Sequence, residues 1–501
     1  MAPAGTASEG GEEAAEVLTP YEKLLKRLDD AERRIQELEE SDGEEQAEPT
    51  TRSVLPSMIP SLLFVHDPEV AAAREAMQAE AERLALPPEE SLEMGKPRSA
   101  AKRSVKWYDK LSLRGYTQFR DNETVFHDRG SAQPQSPNDG SIGRDKNFLI
   151  RRARIIIQGQ VSDHVAIYLQ NDFAANVGQA DINHFTQIRD WYADLFLDKT
   201  QIHRLRVGQS KVPYGWENLQ SSSNRIPMDR NDAFNTAVKN ERDLGIFYYW
   251  TPVYAQKIFR YVLAENLKGS GNYGCFGLGV YNGQGGSFAE QNENVHVVSR
   301  FTWPFTLANG QIIELGVQGY TGKYVVFSAP IRPLGEGNSG FRPGNTIDAT
   351  ISRERNRGGI RDQRFGGSFI MYPQPIGFQA EWTIGNGPGL NPDQTFVDDR
   401  ALYGGYLMAL AKIDTSFCGL FYPFVRWQYY KGGFKAERNA PYGVVNEYEA
   451  GVEWQISPAV EFTAQYTVTD RPNTAAVDRT DFVSYTPWIG QLLRMQLQVN
   501  Y

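Results

Sequence analysis

From about residue 108 onward, apolar and polar side chains alternate. In the final segment Leu493, Met495, Leu497, Val499 and Tyr501 fall on one side of an extended chain. Arg494, Gln496, Gln498 and Asn500 fall on the other. The preceding segment sets Phe462, Ala464, Tyr466 and Val468 against Glu461, Thr463, Gln465, Thr467 and Thr469. The one before sets Tyr448, Ala450, Val452, Trp454 and Ile456 against Glu447, Glu449, Glu453 and Gln455. A period of two is that of a β-strand with one apolar face. The same pattern predicts strands near 111–120, 148–160, 164–173, 187–197, 203–210, 244–251, 274–281, 294–303, 311–321, 366–373, 376–384, 401–411, 417–429, 446–456, 460–470 and 490–501. Residues 257–266 imitate a further strand. However, Ile258, Phe259, Val262, Leu263 and Leu267 follow helical spacing, with Gly269 and Gly271 beyond them. A short helix is therefore predicted over 255–268 on the periplasmic side, leaving the even strand number that closed bacterial barrels favour.

A soluble sandwich with its apolar face inward would alternate in the same way. Two features favour a membrane barrel: strands of about ten residues, and short turns alternating with long loops. The predicted fold is all-β, a sixteen-stranded antiparallel transmembrane barrel spanning 108–501. Such a barrel is wide enough for an aqueous channel. With the first strand running outward, the extracellular loops are 121–147, 174–186, 211–243, 322–365, 385–400, 430–445 and 471–489. Folding of the third loop, 211–243, into the lumen would narrow the channel. Loop 322–365 carries Arg332, Arg342, Arg353, Arg355, Arg357, Arg361 and Arg364 among acids, and reads as a solvated surface. No apolar run is long enough for a transmembrane helix, which membrane barrels do not need.

The first hundred residues follow another period. Residues 1–17 read as a disordered acidic tail. Thr19-Pro20-Tyr21-Glu22 supplies a cap, a first-turn proline and a capping box for a helix over 18–40. Tyr21, Leu24, Leu28, Ala31, Ile35 and Leu38 form a coiled-coil seam, with Arg27 and Arg34 at g and Glu32 and Glu39 at e. A solitary amphipathic helix is the alternative. Residues 41–107 read as a linker containing a second helix at 67–86. Its apolar stretch 54–65, broken by Pro56 and Pro60, cannot span a membrane. The opening residues contain neither a basic nor an apolar leader region. For an exported protein this implies a cleaved leader upstream or a late start codon.

Charge changes the picture in one respect. Residues 1–50 hold 15 acidic and 5 basic side chains, a balance of −10, so the remaining chain is +1 within a total of −9. The acidic excess therefore belongs to the N-terminal extension and is silent on what crosses the barrel. Cys275 and Cys418 read as free thiols. The histidines at 66, 127, 164, 184, 203 and 296 form no i, i+4 metal pair, and no G-x-S-x-G elbow occurs. No enzyme, cofactor, metal or nucleic-acid partner is expected.

Strand parity selects the lumen residues. Arg152, Arg154, Arg204 and Arg206 face inward from early strands, with Lys211 close by; Asp172 and Asp190 are the nearby acids that would neutralise them. Glu381, Glu447, Glu449, Glu453 and Glu461 face inward from late strands, where Arg426 and Arg494 are exceptions. A basic arc would then oppose an acidic arc, with a field across the pore rather than along it.

The segments NFLIRRARIIIQGQVSDHVAIYLQNDFAANVG, RLRVGQSKVPYGWENLQSSSNRIPMDRN, ERDLGIFYYW and the terminal LLRMQLQVNY resemble the phosphate-selective porin family, the porin O and P group. The resemblance covers 108–501 and is strongest at 147–251. It implies a trimer of sixteen-stranded barrels in the outer membrane, conducting small anions or other hydrophilic solutes. It also implies an anion path that starts at Arg151-Arg152, and a terminal aromatic strand read by the assembly machinery. Phosphate-specific members carry a Lys shortly after the third-loop turn. Here Tyr214-Gly215-Trp216-Glu217 leads to Asn218. The expectation is a general or weakly anion-preferring porin, with a phosphate-specific channel and a cell-wall tether as alternatives.

Overall fold

The structure, a computed structural model, describes residues 106–127, 142, 146–175, 185–327, 331–332, 358–392, 396–415, 417–478 and 483–501. The predicted acidic tail, the coiled-coil seam from Tyr21 to Leu38 and the second helix lie outside the described residues, as does nearly all of the linker.

Among the described residues sixteen antiparallel strands close into a ring, and the two residues Ile331–Arg332 add to it parallel to the last strand. They are β1 Leu111–His127, β2 Lys146–Ser162, β3 Val165–Ala175, β4 Phe185–Phe196, β5 His203–Lys211, β6 Arg242–Trp250, β7 Phe276–Tyr281 and β8 His296–Thr306. The second half comprises β9 Ile312–Tyr324, β10 Ile360–Met371, β11 Ile376–Leu390, β12 Val397–Ala411, β13 Gly419–Gly433, β14 Tyr442–Ser457, β15 Val460–Asp478 and β16 Val483–Asn500. Ile413–Thr415 continue the pairing of β12 with β13. Each strand pairs with the next, and β1 closes the ring by pairing with both β2 and β16: Tyr116 lies between Arg154 and Asn500. At the seam the Tyr501 ring occupies the space where a side chain at position 115 would stand, so Gly115 lets the last aromatic residue lie flat on β1. Tyr501 and Gly115 also exchange backbone hydrogen bonds.

Every predicted strand is present. Most run further than the alternation indicated, because ladder pairing continues past the apolar band. Thus β10 begins at Ile360, and Arg361 and Arg364 are strand residues rather than loop residues. The predicted helix is α1 Val253–Ala264. It stops before Leu267, because the chain turns through left-handed conformations at Asn266 and Lys268. A further loop, 282–295, joins β7 to β8 at the long-loop end and was not anticipated. Two bulges leave Arg151 and Arg189 as extra residues opposite β1 and β3.

The ring is polar inside and apolar outside. Ile155, Val207, Ile246, Leu278, Val297, Val317, Phe369, Leu407, Val425 and Leu497 are exposed outward, while most of the buried side chains are polar or charged. A soluble sandwich has the opposite arrangement. An apolar band around closed, fully paired strands is the solution a bilayer requires.

Candidate functional site in the barrel lumen

Among the described residues, the β5–β6 and β6–β7 connections both carry side chains into the lumen. The first is the third long loop, between β5 and β6, with two one-turn helices, α2 Trp216–Leu219 and α3 Asp232–Asn235. Gly215 turns into α2 at φ +83°, and a Cβ there would stand 2.8 Å from the Phe234 ring. Asn231 caps α3 by accepting from the Phe234 amide. Val212, Tyr214, Ala233, Phe234, Ala237 and Val238 pack on wall residues including Phe247, Tyr249, Tyr320 and Tyr430. Burying a ring such as Phe234 stabilises the inserted loop by about 1.5–3 kcal/mol. Tyr214 stands edge-on to Tyr320, with ring centres 4.9 Å apart.

Polar contacts then fix the loop to almost every side of the ring. Glu381 on β11 accepts from the amides of Trp216 (2.6 Å) and Glu217 (2.8 Å). Arg426 on β13 joins Glu217 at 2.6 Å and also pairs with Glu449 on β14. Arg471 on β15 joins Asp232 (2.6 Å) and Glu447 (2.8 Å). Asp229 lies between Arg120 on β1 (3.2 Å) and Arg494 on β16 (2.5 Å). Lys211 donates to the carbonyls of Leu219 (2.9 Å) and Gln220 (2.5 Å). Asn218 donates to the carbonyls of Tyr214 and Phe234, so its amide closes the loop on itself.

The second segment joins β6 to β7 at the short-turn end. Its helix α1 seats Ile258, Val262 and the following Leu267 against Ile312, Ile370, Tyr372 and Trp216. Beyond α1, Lys268 pairs with Glu453 on β14.

The parity-selected residues fall as follows. Arg152, Arg154, Arg204, Arg206 and Lys211 are buried on the inward face, as are Glu381, Glu447, Glu449 and Glu453. Glu461 is half-buried and accepts from Gln498 and Asn500. Arg154 meets Asp172 at 2.8 Å, as the parity argument allowed. Asp190 instead meets Arg242 at 2.9 Å. The acid beside Arg206 (2.7 Å) and Arg204 (3.5 Å) is Asp194, which the sequence reading passed over. Alternation with Tyr192 and Phe196 would have found it. Arg152 differs from these arginines. It donates to Gln118 at 2.7 Å, its Nε is unpartnered, and it forms no ion pair among the described residues. Arg151 adjoins it in the chain, and Arg154 follows two residues on along the same inward face.

Sequence reasoning also missed the charged loop residues Glu217, Asp229, Arg230, Asp232 and Glu241, and Lys268 of the second segment. Their periodicity is irregular, so only the folded path shows which wall they meet. Near the long-loop end Lys435, in the β13–β14 loop, pairs with Asp362 and lies over the Tyr324 ring. Burial pushes its ammonium down to about 8, against the pull of Asp362. Cys275 and Cys418 are free thiols.

The channel protein DcaP of Acinetobacter baumannii superimposes with a TM-score of 0.43 at 12% identity, covering 78% of this chain and 97% of that one. OmpF of Salmonella typhi, in complex with daunomycin, gives 0.46 at 12% identity, covering 78% and 97%. OmpT of Vibrio cholerae gives 0.44 at 8% identity, again covering 78% and 97%. Comparison with curated protein sequences yields no match. The sequence pattern of one family, however, fits residues 129–501, nearly the whole barrel: the chain belongs to the family Phosphate-selective porin O and P.

Proposed function

We propose that this outer-membrane porin is a passive channel for small hydrophilic solutes, general or weakly anion-preferring. The observation that carries the reading is local charge compensation around the lumen. Arg154 is matched by Asp172, Arg206 by Asp194, Arg242 by Asp190, Arg300 by Glu314 and Arg426 by Glu449. Paired charges produce short-range fields, whereas strong selectivity needs rings of one sign. Over residues 101–501 basic side chains outnumber acidic ones by only 42 to 38. In this reading the basic arc of Arg152, Arg154, Arg204, Arg206 and Lys211 and the acidic arc of Glu381, Glu447, Glu449, Glu453 and Glu461 have most of their charges offset by close partners, which leaves only a weak field across the pore. Charged solutes of both signs are then screened, and dipolar solutes are oriented. The proposed assembly is a homotrimer in outer-membrane lipid. Its N-terminal segment is periplasmic, with the coil joining copies and reaching cell-wall components.

A phosphate-specific channel is the second reading, and Arg152 favours it: a buried guanidinium that forms no ion pair among the described residues attracts anions. Reversal potential in a potassium chloride gradient separates the two. Near-equal permeabilities support the general porin. Near-ideal anion selectivity, with phosphate blocking chloride current at low concentration, would establish the specific channel instead.

A further inference from the structure

The β6–β7 connection is far longer than joining two adjacent strands requires. Its counterparts at the same end of the barrel are short: 163–164 between β2 and β3, 307–311 between β8 and β9, and 458–459 between β14 and β15. Residues 251–275 instead build α1 and then a strap, Glu265–Gly274. The strap crosses the mouth. Lys268 belongs to the connection between strands six and seven, yet it pairs with Glu453 on strand fourteen, about halfway round a ring of sixteen. The other strap contacts agree. The Glu265 carbonyl accepts from Lys412 at 2.7 Å, and the Asn266 carbonyl from Tyr422 at 2.7 Å, while the Asn266 side-chain amide donates to Gln455. On the return path the Asn272 carbonyl accepts from Arg204 on β5 at 2.8 Å.

The strap is held against its own preference. Asn266 and Lys268 both take left-handed conformations, at φ 53° and 62°. Such conformations cost on the order of 1–2 kcal/mol per residue for side chains other than glycine and persist where surroundings impose them. The surroundings here are Glu453, which takes the buried Lys268 ammonium, and the Tyr422 ring, 4.5 Å beneath it. The third loop reaches the strap from the other side: Gln220 donates to the Lys268 carbonyl at 2.5 Å and Asn224 to the Gly269 carbonyl at 2.8 Å.

We infer that the Glu265–Gly274 strap is a second constriction in series with the third loop, and that the Lys268–Glu453 pair is the latch setting both its width and its charge preference. The inference rests on the channel reading. At the mouth Lys268 pairs with Glu453, and Glu461 stands diagonally beside Glu453 on the adjoining strand β15. Releasing the strap widens the passage whichever partner is removed, but the charge left behind differs. Lys268→Ala leaves two acids, and Glu453→Gln leaves the ammonium against one.

The test is single-channel conductance and potassium chloride reversal potential of the full chain in planar bilayers. Heat-modifiable gel mobility serves as the check of barrel folding. Both variants should conduct more than the wild type, with Lys268→Ala moving the reversal potential toward cations and Glu453→Gln toward anions. The shortened Glu453→Asp should raise conductance without moving the potential, and it keeps the question open to measurement if a charge-removing variant fails to assemble. The exchanged pair Lys268→Glu with Glu453→Lys should bring conductance back toward the wild type. Wild-type conductance in all the folded single variants overturns the latch while leaving the channel intact. A folded wild type that carries no current overturns the channel reading and the latch together.

Discussion

Arg426→Ala is the sharpest perturbation of the third loop. The Arg426 guanidinium holds Glu217 of the loop, Glu449 of the wall and the Asp229 carbonyl at once, and none of the three side chains in the ion pairs is more than marginally exposed. Truncation leaves two buried carboxylates. Glu217 keeps the Asn231 amide donors at 2.8 and 2.6 Å, and Glu449 keeps Gln465 at 2.8 Å, so each retains hydrogen bonds but loses its cation. Removing one member of a buried ion pair costs about 3–5 kcal/mol. The β13–β14 ladder does not depend on this side chain, because Arg426 and Glu449 face each other through backbone pairing. The cheaper relief is for the loop to leave the lumen, carrying Glu217 into water. At tenfold per 1.4 kcal/mol, the loop's open fraction should rise roughly a hundredfold to a few thousandfold. Limited trypsin digestion in detergent reads this directly, through cleavage at Arg225 and Arg230, which are buried in the closed loop. Cleavage should accelerate while unheated barrel mobility stays unchanged, and single-channel conductance should rise. Cleavage at the wild-type rate with unaltered conductance would refute the claim that this ion triad holds the loop in place.

Three further outcomes are expected. Arg152→Ala should lower the anion-to-cation permeability ratio, and Arg154→Ala should lower it more because Asp172 is left unpaired; unchanged reversal potentials would remove both from the solute path. Deleting residues 1–100 should leave trimers intact on unheated gels and in light scattering, since three heptads contribute little beside barrel contacts; recovery of monomers would place the assembly signal in the coil. Asn218→Lys should perturb the loop rather than create a phosphate site, because the Asn218 amide closes the loop on Tyr214 and Phe234; tight phosphate block in this variant would contradict that.

The barrel was legible because one physical rule repeats in every strand. Side chains alternate sides, the outer side meets lipid and the inner side does not, so Leu493, Met495 and Leu497 announce the last strand without its partners. The same parity placed Arg152, Arg154, Arg204, Arg206 and the late-strand glutamates on one face. Alternation did not reveal that Arg361 and Arg364 belong to a strand, where the ladder outlasts the apolar band, or that bulges at Arg151 and Arg189 shift the count by one. The α1 helix was legible from its spacing, but its end was not, since contacts with β12 through β14 rather than local propensity turn the chain at Asn266.

Sequence alone thus determined the architecture: strand number, inward and outward faces, the position of the extra helix and the charge of each face. Those follow from local periodicity, which each segment carries in itself. Tertiary structure alone decided which charges meet. Glu217 and Arg426 lie 209 positions apart, and Lys268 and Glu453 lie 185 apart. A pair that closes across a lumen has no period to betray it. Its partners are set by the path of two inserted segments, and that path is fixed by packing and buried hydrogen bonds summed over the whole ring.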